Sequence, residues 1–418
     1  METKTINLNS YKIHFIKTDK FKTIDIRVMF TGKFTKEEIT KRNFLIDMLT
    51  YSCKKYNTKR LLSIKCQDLY SLNLNSTNLR TGNFLISKIG ISFLNPNYTE
   101  KSMLEESIDL LMEVIFNPNI SDNKFDSKSF KIIKKELENE MITIKEQPKI
   151  YAVSQMLKEM GKDSPYSYHG YCYEDDLKQI DEANLYQFYK QILNKNLVDI
   201  YIVGDIDFLE LEEIIKSKFK ISTLKKDKGD VFYKHKNIRK RSKKIVEKSD
   251  FKQSKLVVGL KIDKLNEFEK KYVINIYNML LGGCTDSLLM QNVRGKESLV
   301  YYIYSSLNKT DNIIIISCGI DKRNFDKALK IIRKTLKEIC LGKIEDKEID
   351  KCQMEYISAI ETAENSPGSL IDIKMTENFK ITDSLDTRKE KIKLVTKNDV
   401  IKISEKITLD TIYLLEGE

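Results

Sequence analysis

The sequence predicts an α+β fold made of two tandem homologous domains, each a mostly antiparallel sheet packed with helices. Two observations carry this. Strand and helix signatures recur in the same order in the two halves of the chain, and the strand segments alternate apolar and polar residues while the helical ones repeat at three to four. Composition agrees: 418 residues with 41% hydrophobic and 32% charged side chains, only 15 Gly and 5 Pro, and no Trp. That is material for compact cores, not for a disordered or fibrous chain.

Residues 6–30 read as a strand pair, with Ile24, Ile26, Val28 and Phe30 alternating up to Thr31-Gly32. Residues 36–51 have helical periodicity, with Phe44, Leu45, Met48 and Leu49 on one apolar face. A strand over 81–91, helices over 100–116 and 126–145, and a late strand over 197–205 follow.

The second half repeats this order. Phe251-Lys252 precedes a strand over 256–260 as Phe21-Lys22 precedes 24–30, and Thr310–Ile320 echoes Thr81–Ile91. Glu364-Asn365-Ser366-Pro367 ends a helix as Glu146-Gln147-Pro148 does, and Ile412-Tyr413-Leu414-Leu415 repeats Ile200-Tyr201-Ile202-Val203. The offset between matched anchors drifts from 230 to 212 residues, as small loop changes in a duplicated unit would make it. The expected domains are 1–220 and 246–418, joined by a basic linker over 221–245 that carries Lys225-Lys226, His235 and the run Arg239-Lys240-Arg241-Ser242-Lys243-Lys244.

The balance is basic, 72 Lys+Arg against 61 Asp+Glu, but lysine is spread along the chain. No aromatic-interleaved basic module marks a nucleic-acid binder. The seven Cys form no C-x-x-C pair and read as small buried hydrophobes in a reducing compartment. No apolar run is long enough to span a membrane and no apolar leader opens the chain, so the sequence predicts a cytoplasmic protein.

The segment Asn43-Phe44-Leu45-Ile46-Asp47-Met48-Leu49, within this duplicated layout, resembles the helix of the M16 (insulinase or pitrilysin-type) metallopeptidases. Active members carry an inverted zinc motif there, H-x-x-E-H. Its two His share one helix face and bind Zn²⁺, its Glu activates a metal-bound water, and a Glu on a later helix completes the site. Here the apolar framework matches and the chemistry does not. Asn43 and Asp47 stand at the ligand positions, Ile46 replaces the general base, and no proton acceptor for neutral pH is left. The three His, His14, His169 and His235, lie too far apart to build any two-His helical motif. Glu140 falls where the third ligand would be, or else is a surface carboxylate. Asn43, Asp47 and Glu140 together would give a harder cation three oxygens, where it wants six or more.

In the second half, Leu281-Gly282-Gly283-Cys284 resembles the family's small-residue turn, and Arg294 with Tyr301 matches its Arg-x6-Tyr spacing. The resemblance implies a LuxS/MPP-like metallohydrolase fold. It implies substrate contacts from Arg294 and Tyr301 and from the Gly282-Gly283 turn, the first two as charged and phenolic donors. It further implies a non-catalytic, peptide-binding subunit of a heterodimeric zinc peptidase, without metal or cofactor of its own, zinc being expected only in an M16 partner with an intact motif. Self-association of the isolated chain is a further expectation. The alternative is a non-proteolytic scaffold or peptide-binding protein acting in peptide maturation or translation-factor modification. No G-x-S-x-G, Walker A or G-x-G-x-x-G motif supports another enzyme chemistry.

Overall fold

The computed structural model describes residues 1–223 and 229–418, so Lys225 and Lys226 lie outside the described residues. The first half supplies strands β1 (Glu2–Leu8), β2 (Tyr11–Lys17), β3 (Thr23–Lys33), β4 (Asn73–Thr81) and β5 (Phe84–Leu94). A short hairpin, β6 (Ile120–Ser121) and β7 (Lys124–Phe125), and β8 (Leu197–Gly204) follow. The second half supplies β9 (Lys243–Lys248), β10 (Ser254–Ile262), β11 (Val300–Asn308), β12 (Ile313–Ile320) and β13 (Ile407–Glu416).

Two large sheets result, ordered β1-β2-β8-β3-β5-β4 and β11-β12-β10-β13-β9. The duplication is visible in them. β8-β3-β5 and β13-β10-β12 are antiparallel triplets in the same order. Each is extended by one parallel neighbour, β2 beside β8 and β9 beside β13. The polar strand β4 has no period-2 apolar signal and was not visible in the sequence; it forms because β5 offers it a full antiparallel ladder from Asn73 opposite Ser92 to Thr81 opposite Phe84.

The described residues group into two compact units. The first comprises 1–143, 170–231 and 364–374; the second comprises 144–169, 232–363 and 375–418. Each unit therefore takes in a segment from the opposite half of the chain. Within the first, Asp372 receives Lys88 at 2.7 Å and lies 3.9 Å from Arg27, tying the late segment to the sheet face. Within the second, Ala152, Met156 and Met160 of the helix Pro148–Met160 pack on Val257, Tyr413 and Leu415.

The helix Lys36–Tyr51 packs on the first sheet through Phe44, Leu45, Ile46, Met48 and Leu49, all buried. It is also fixed by a charge. Arg42 is 1% exposed, and its guanidinium reaches Glu38 Oε2 at 3.0 Å, Ser87 Oγ at 3.0 Å, Asn196 Oδ1 at 2.6 Å and the Phe30 carbonyl at 3.4 Å. Burial alone would push its charge off, while Glu38 holds it on. Gly32 makes the room: a Cβ there would collide with the Arg42 guanidinium.

Replacing Arg42 by Met keeps the aliphatic stem and strands Asn196, Ser87 and Glu38 without their donor. Chemical denaturation is expected to show a loss of about 2–4 kcal/mol.

Candidate functional site

The helix that would carry zinc chemistry places Asn43 and Asp47 one turn apart, with Ile46 turned into the core at 5% exposure. Three further segments meet this face. The helix Ser127–Lys145 stacks Phe130 on Phe44 at 4.5 Å between ring centres, which brings Glu136 and Glu140 toward Asp47. The loop at 170–172 and strand β4 supply Gly170, Cys172 and Asn78.

Asn43 is fully employed. Its amide donates to the Gly170 carbonyl at 2.8 Å, and its oxygen accepts from the Asn78 amide at 2.8 Å. The Cys172 thiol also bonds to Asn43, yet burial outweighs that contact and pushes the thiol up to about 12. Nearby, Lys36 holds Asp176 at 2.6 Å, and the Tyr173 amide donates to Thr40 Oγ1 at 3.0 Å, closing the 170–176 segment over the helix.

Asp47 differs from the sequence expectation that this site keeps no acceptor for neutral pH. Burial, then the Glu140 and Glu136 carboxylates, raise its carboxyl to about 7. Glu140 is itself exposed, and it acts electrostatically on both Asp47 and Cys172. A zinc ion does not fit these residues. An amide already bonded on both sides, an isoleucine and a carboxyl raised to about 7 beside two other carboxylates replace two imidazoles and a general base. Among the described residues no group of three or more His, Cys, Asp and Glu is arranged to hold a metal ion.

The second unit presents the other expected residues. Gly282 and Gly283 close the segment Met279–Gly283, and Arg294 lies in Met290–Gly295; both segments are wide π-helical turns. Such turns concentrate at functional sites and have no signature that single-sequence periodicity detects. A Cβ on Gly282 would lie 2.7 Å from the Ser305 amide nitrogen, so glycine lets this turn rest on β11. Arg294 is exposed, and among the described residues its guanidinium has one hydrogen-bond partner, Met290 Sδ at 3.9 Å. Tyr301 is 63% exposed at a register irregularity of β11. Among the described residues no hydrogen bond joins Arg294 to Tyr301; both are exposed on the second unit.

Comparison with known proteins finds similar chains. Residues 179–356 match the family model described as "Peptidase M16 inactive domain". The chain is 26% identical over 407 residues, 97% of its length and 95% of the relative's, to the "Probable inactive metalloprotease YmfF" of Bacillus subtilis (strain 168). It is 22% identical over 289 residues, 66% of its length and 64% of the relative's, to the "Uncharacterized zinc protease YmxG" of the same organism. Among solved structures, a conserved protein from Enterococcus faecalis V583 superposes with a TM-score of 0.91 at 26% identity, covering 100% of this chain and 99% of the other.

The raised Asp47 carboxyl has a measurable consequence. With a folded-state value near 7 and an unfolded value near 4, the folded protein holds the extra proton between those pH values. Its contribution to stability is full below about pH 4 and is lost as pH rises through about 7. Asp47→Asn is therefore expected to gain about 2 kcal/mol on wild type between pH 5 and pH 8, measured by urea unfolding at both. No helix among the described residues is long and apolar enough to cross a membrane.

Proposed function

We propose a function from one premise: this chain belongs to the M16 peptidase family and is an inactive, non-catalytic member of it. On our reading it is the substrate-binding subunit of a two-chain peptidase, working with an M16 partner that carries the intact zinc motif. The observation that carries this is the uneven fate of the two sets of family positions. Asn43 is hydrogen-bonded on both sides, Ile46 is buried and Asp47 is half-buried beside two carboxylates, while Arg294 and Tyr301 stay exposed with no side-chain oxygen partner among the described residues.

A donor fixed on one chain can serve a reaction on another. Arg294 would orient a substrate carbonyl or carboxylate through its planar guanidinium, and Tyr301 would supply a phenolic proton to a developing oxyanion. Zinc, held by the partner, would supply the activated water; no step needs a metal on this chain. Bacillus subtilis offers a parallel in the names of its two relatives, one a probable inactive metalloprotease and one a zinc protease. Extended peptides are the substrate class we favour, because sheet-edge pairing binds them through backbone groups without demanding a sequence.

Co-expression with a zinc-motif M16 protein from the same genome tests this. A complex should co-elute on gel filtration and cleave an unstructured peptide, and neither chain alone should match its rate. Arg294→Ala, whose side chain makes no structural ion pair among the described residues, should leave the complex intact and lower its rate at least ~10-fold. Absence of any complex, or an unchanged rate, would favour a non-proteolytic scaffold instead.

A further inference from the structure

Lys255 lies on the central strand β10 and is 8% exposed. A lysine so deep is normally matched by a carboxylate. Here its ammonium hydrogen-bonds the neutral Gln253 side chain and lies 5.5 Å from the centre of the Tyr302 ring. The charge acting on it is another lysine: after burial, Lys149 depresses its pKa further. Lys149, in the first turn of the helix Pro148–Met160, sits 5.2 Å from the Tyr302 ring and 4.8 Å from the Tyr304 ring. The two rings are stacked at 6.0 Å. Neither lysine has an ion pair and neither phenol a hydrogen bond among the described residues, and burial pushes the Tyr302 phenol up to about 12, so it stays protonated.

All four residues belong to the second unit. They bring together two cations and two phenols with one neutral acceptor, Gln253, and no ion-paired carboxylate among the described residues. The complement is an anion small enough to sit against two rings and two ammonium groups, which a carboxylate is. The strand bearing both tyrosines points to the kind of molecule. β11 forms one border of its sheet, pairing with β12 and with no other described strand, and Tyr302 and Tyr304 share a face of it. A bordering strand accepts extended chains.

We propose that Lys149, Lys255, Tyr302 and Tyr304 form a carboxylate-binding subsite that makes this chain select extended peptides bearing a negative charge. This rests on the reading that the chain binds peptides. It adds which peptides, and it names residues distinct from Arg294 and Tyr301. Cation–π stacking alone would fix the start of the helix Pro148–Met160 without giving any ligand preference, and the experiment separates the two.

Four fluorescein-labelled ten-residue Gly/Ser/Val peptides are titrated with the purified full chain, followed by anisotropy. Three are C-terminally amidated and carry Glu, Gln or Lys at the centre; the fourth carries Gln and a free C-terminal carboxylate. The Glu peptide, the free-carboxylate peptide or both should bind at least fivefold more tightly than the amidated Gln peptide, and which of them does identifies the source of the carboxylate. Lys149→Met, a surface change, and Tyr304→Phe, which keeps the ring and removes the hydroxyl, should each abolish that preference while circular dichroism and melting stay as in wild type. A purely structural role would lower the melting temperature in Lys149→Met and leave Tyr304→Phe binding untouched. Equal binding of all four peptides, or a preference that survives both variants, overturns the subsite alone. Binding of none overturns the subsite and the peptide reading together.

Discussion

The position of the helix Lys36–Tyr51 depends on one buried charge. Arg42 ties that helix to β3 through the Phe30 carbonyl, to β5 through Ser87 and to the start of β8 through Asn196, with Glu38 keeping the guanidinium charged. A buried cation pays for desolvation only when its donors are filled, and here they are filled by three different parts of the first sheet. In a zinc peptidase the metal would help to hold this helix. Here the Arg42 network holds it together with the buried apolar face, and the register they set, with Arg42 one residue before Asn43, fixes which residues face the site and which enter the core.

What the site does without metal follows from that register. Ile46 points inward and extends the apolar face that Phe44, Leu45, Met48 and Leu49 begin. Asn43 replaces a metal bond with two hydrogen bonds, to Gly170 and from Asn78. Asp47, left beside two carboxylates in a half-buried position, is relieved by keeping a proton rather than by a cation. The residues at the ligand positions thus work as packing and hydrogen-bonding groups. On the proposed reading, the contribution to chemistry comes from the second unit, where Arg294 and Tyr301 are presented by a wide turn and an irregular strand start.

Much of the fold was legible because it is written in short-range patterns. The alternation at 24–30 and the apolar face of 36–51 became β3 and the core helix, and the repeated anchors became matching strand triplets in two sheets. The strand expected over 81–91 begins instead at Phe84, because the chain turns at Gly82, and the one expected from Thr310 begins at Ile313 for a similar turn. Other features depend on contacts that periodicity does not record. β4 has only Leu74 and Leu79 as apolar residues, five apart, Arg42 looks like any surface arginine next to Lys41, and nothing in 144–169 or 364–374 announces that each joins the other unit. At the site, the residue types at 43, 46 and 47 told of the missing ligands. The raised carboxyl of Asp47 depends on its burial and on Glu140 and Glu136, which another helix brings up beside it, and was not readable from spacing.

The central claim is that zinc chemistry has left this chain and is supplied by another. Metal content tests it most directly. Purified under zinc-replete conditions and measured by inductively coupled plasma mass spectrometry, the chain alone should carry no stoichiometric zinc, and the complex with a zinc-motif partner should carry one zinc per pair. One tightly held zinc on the isolated chain, lost with Asp47→Asn, would contradict the account.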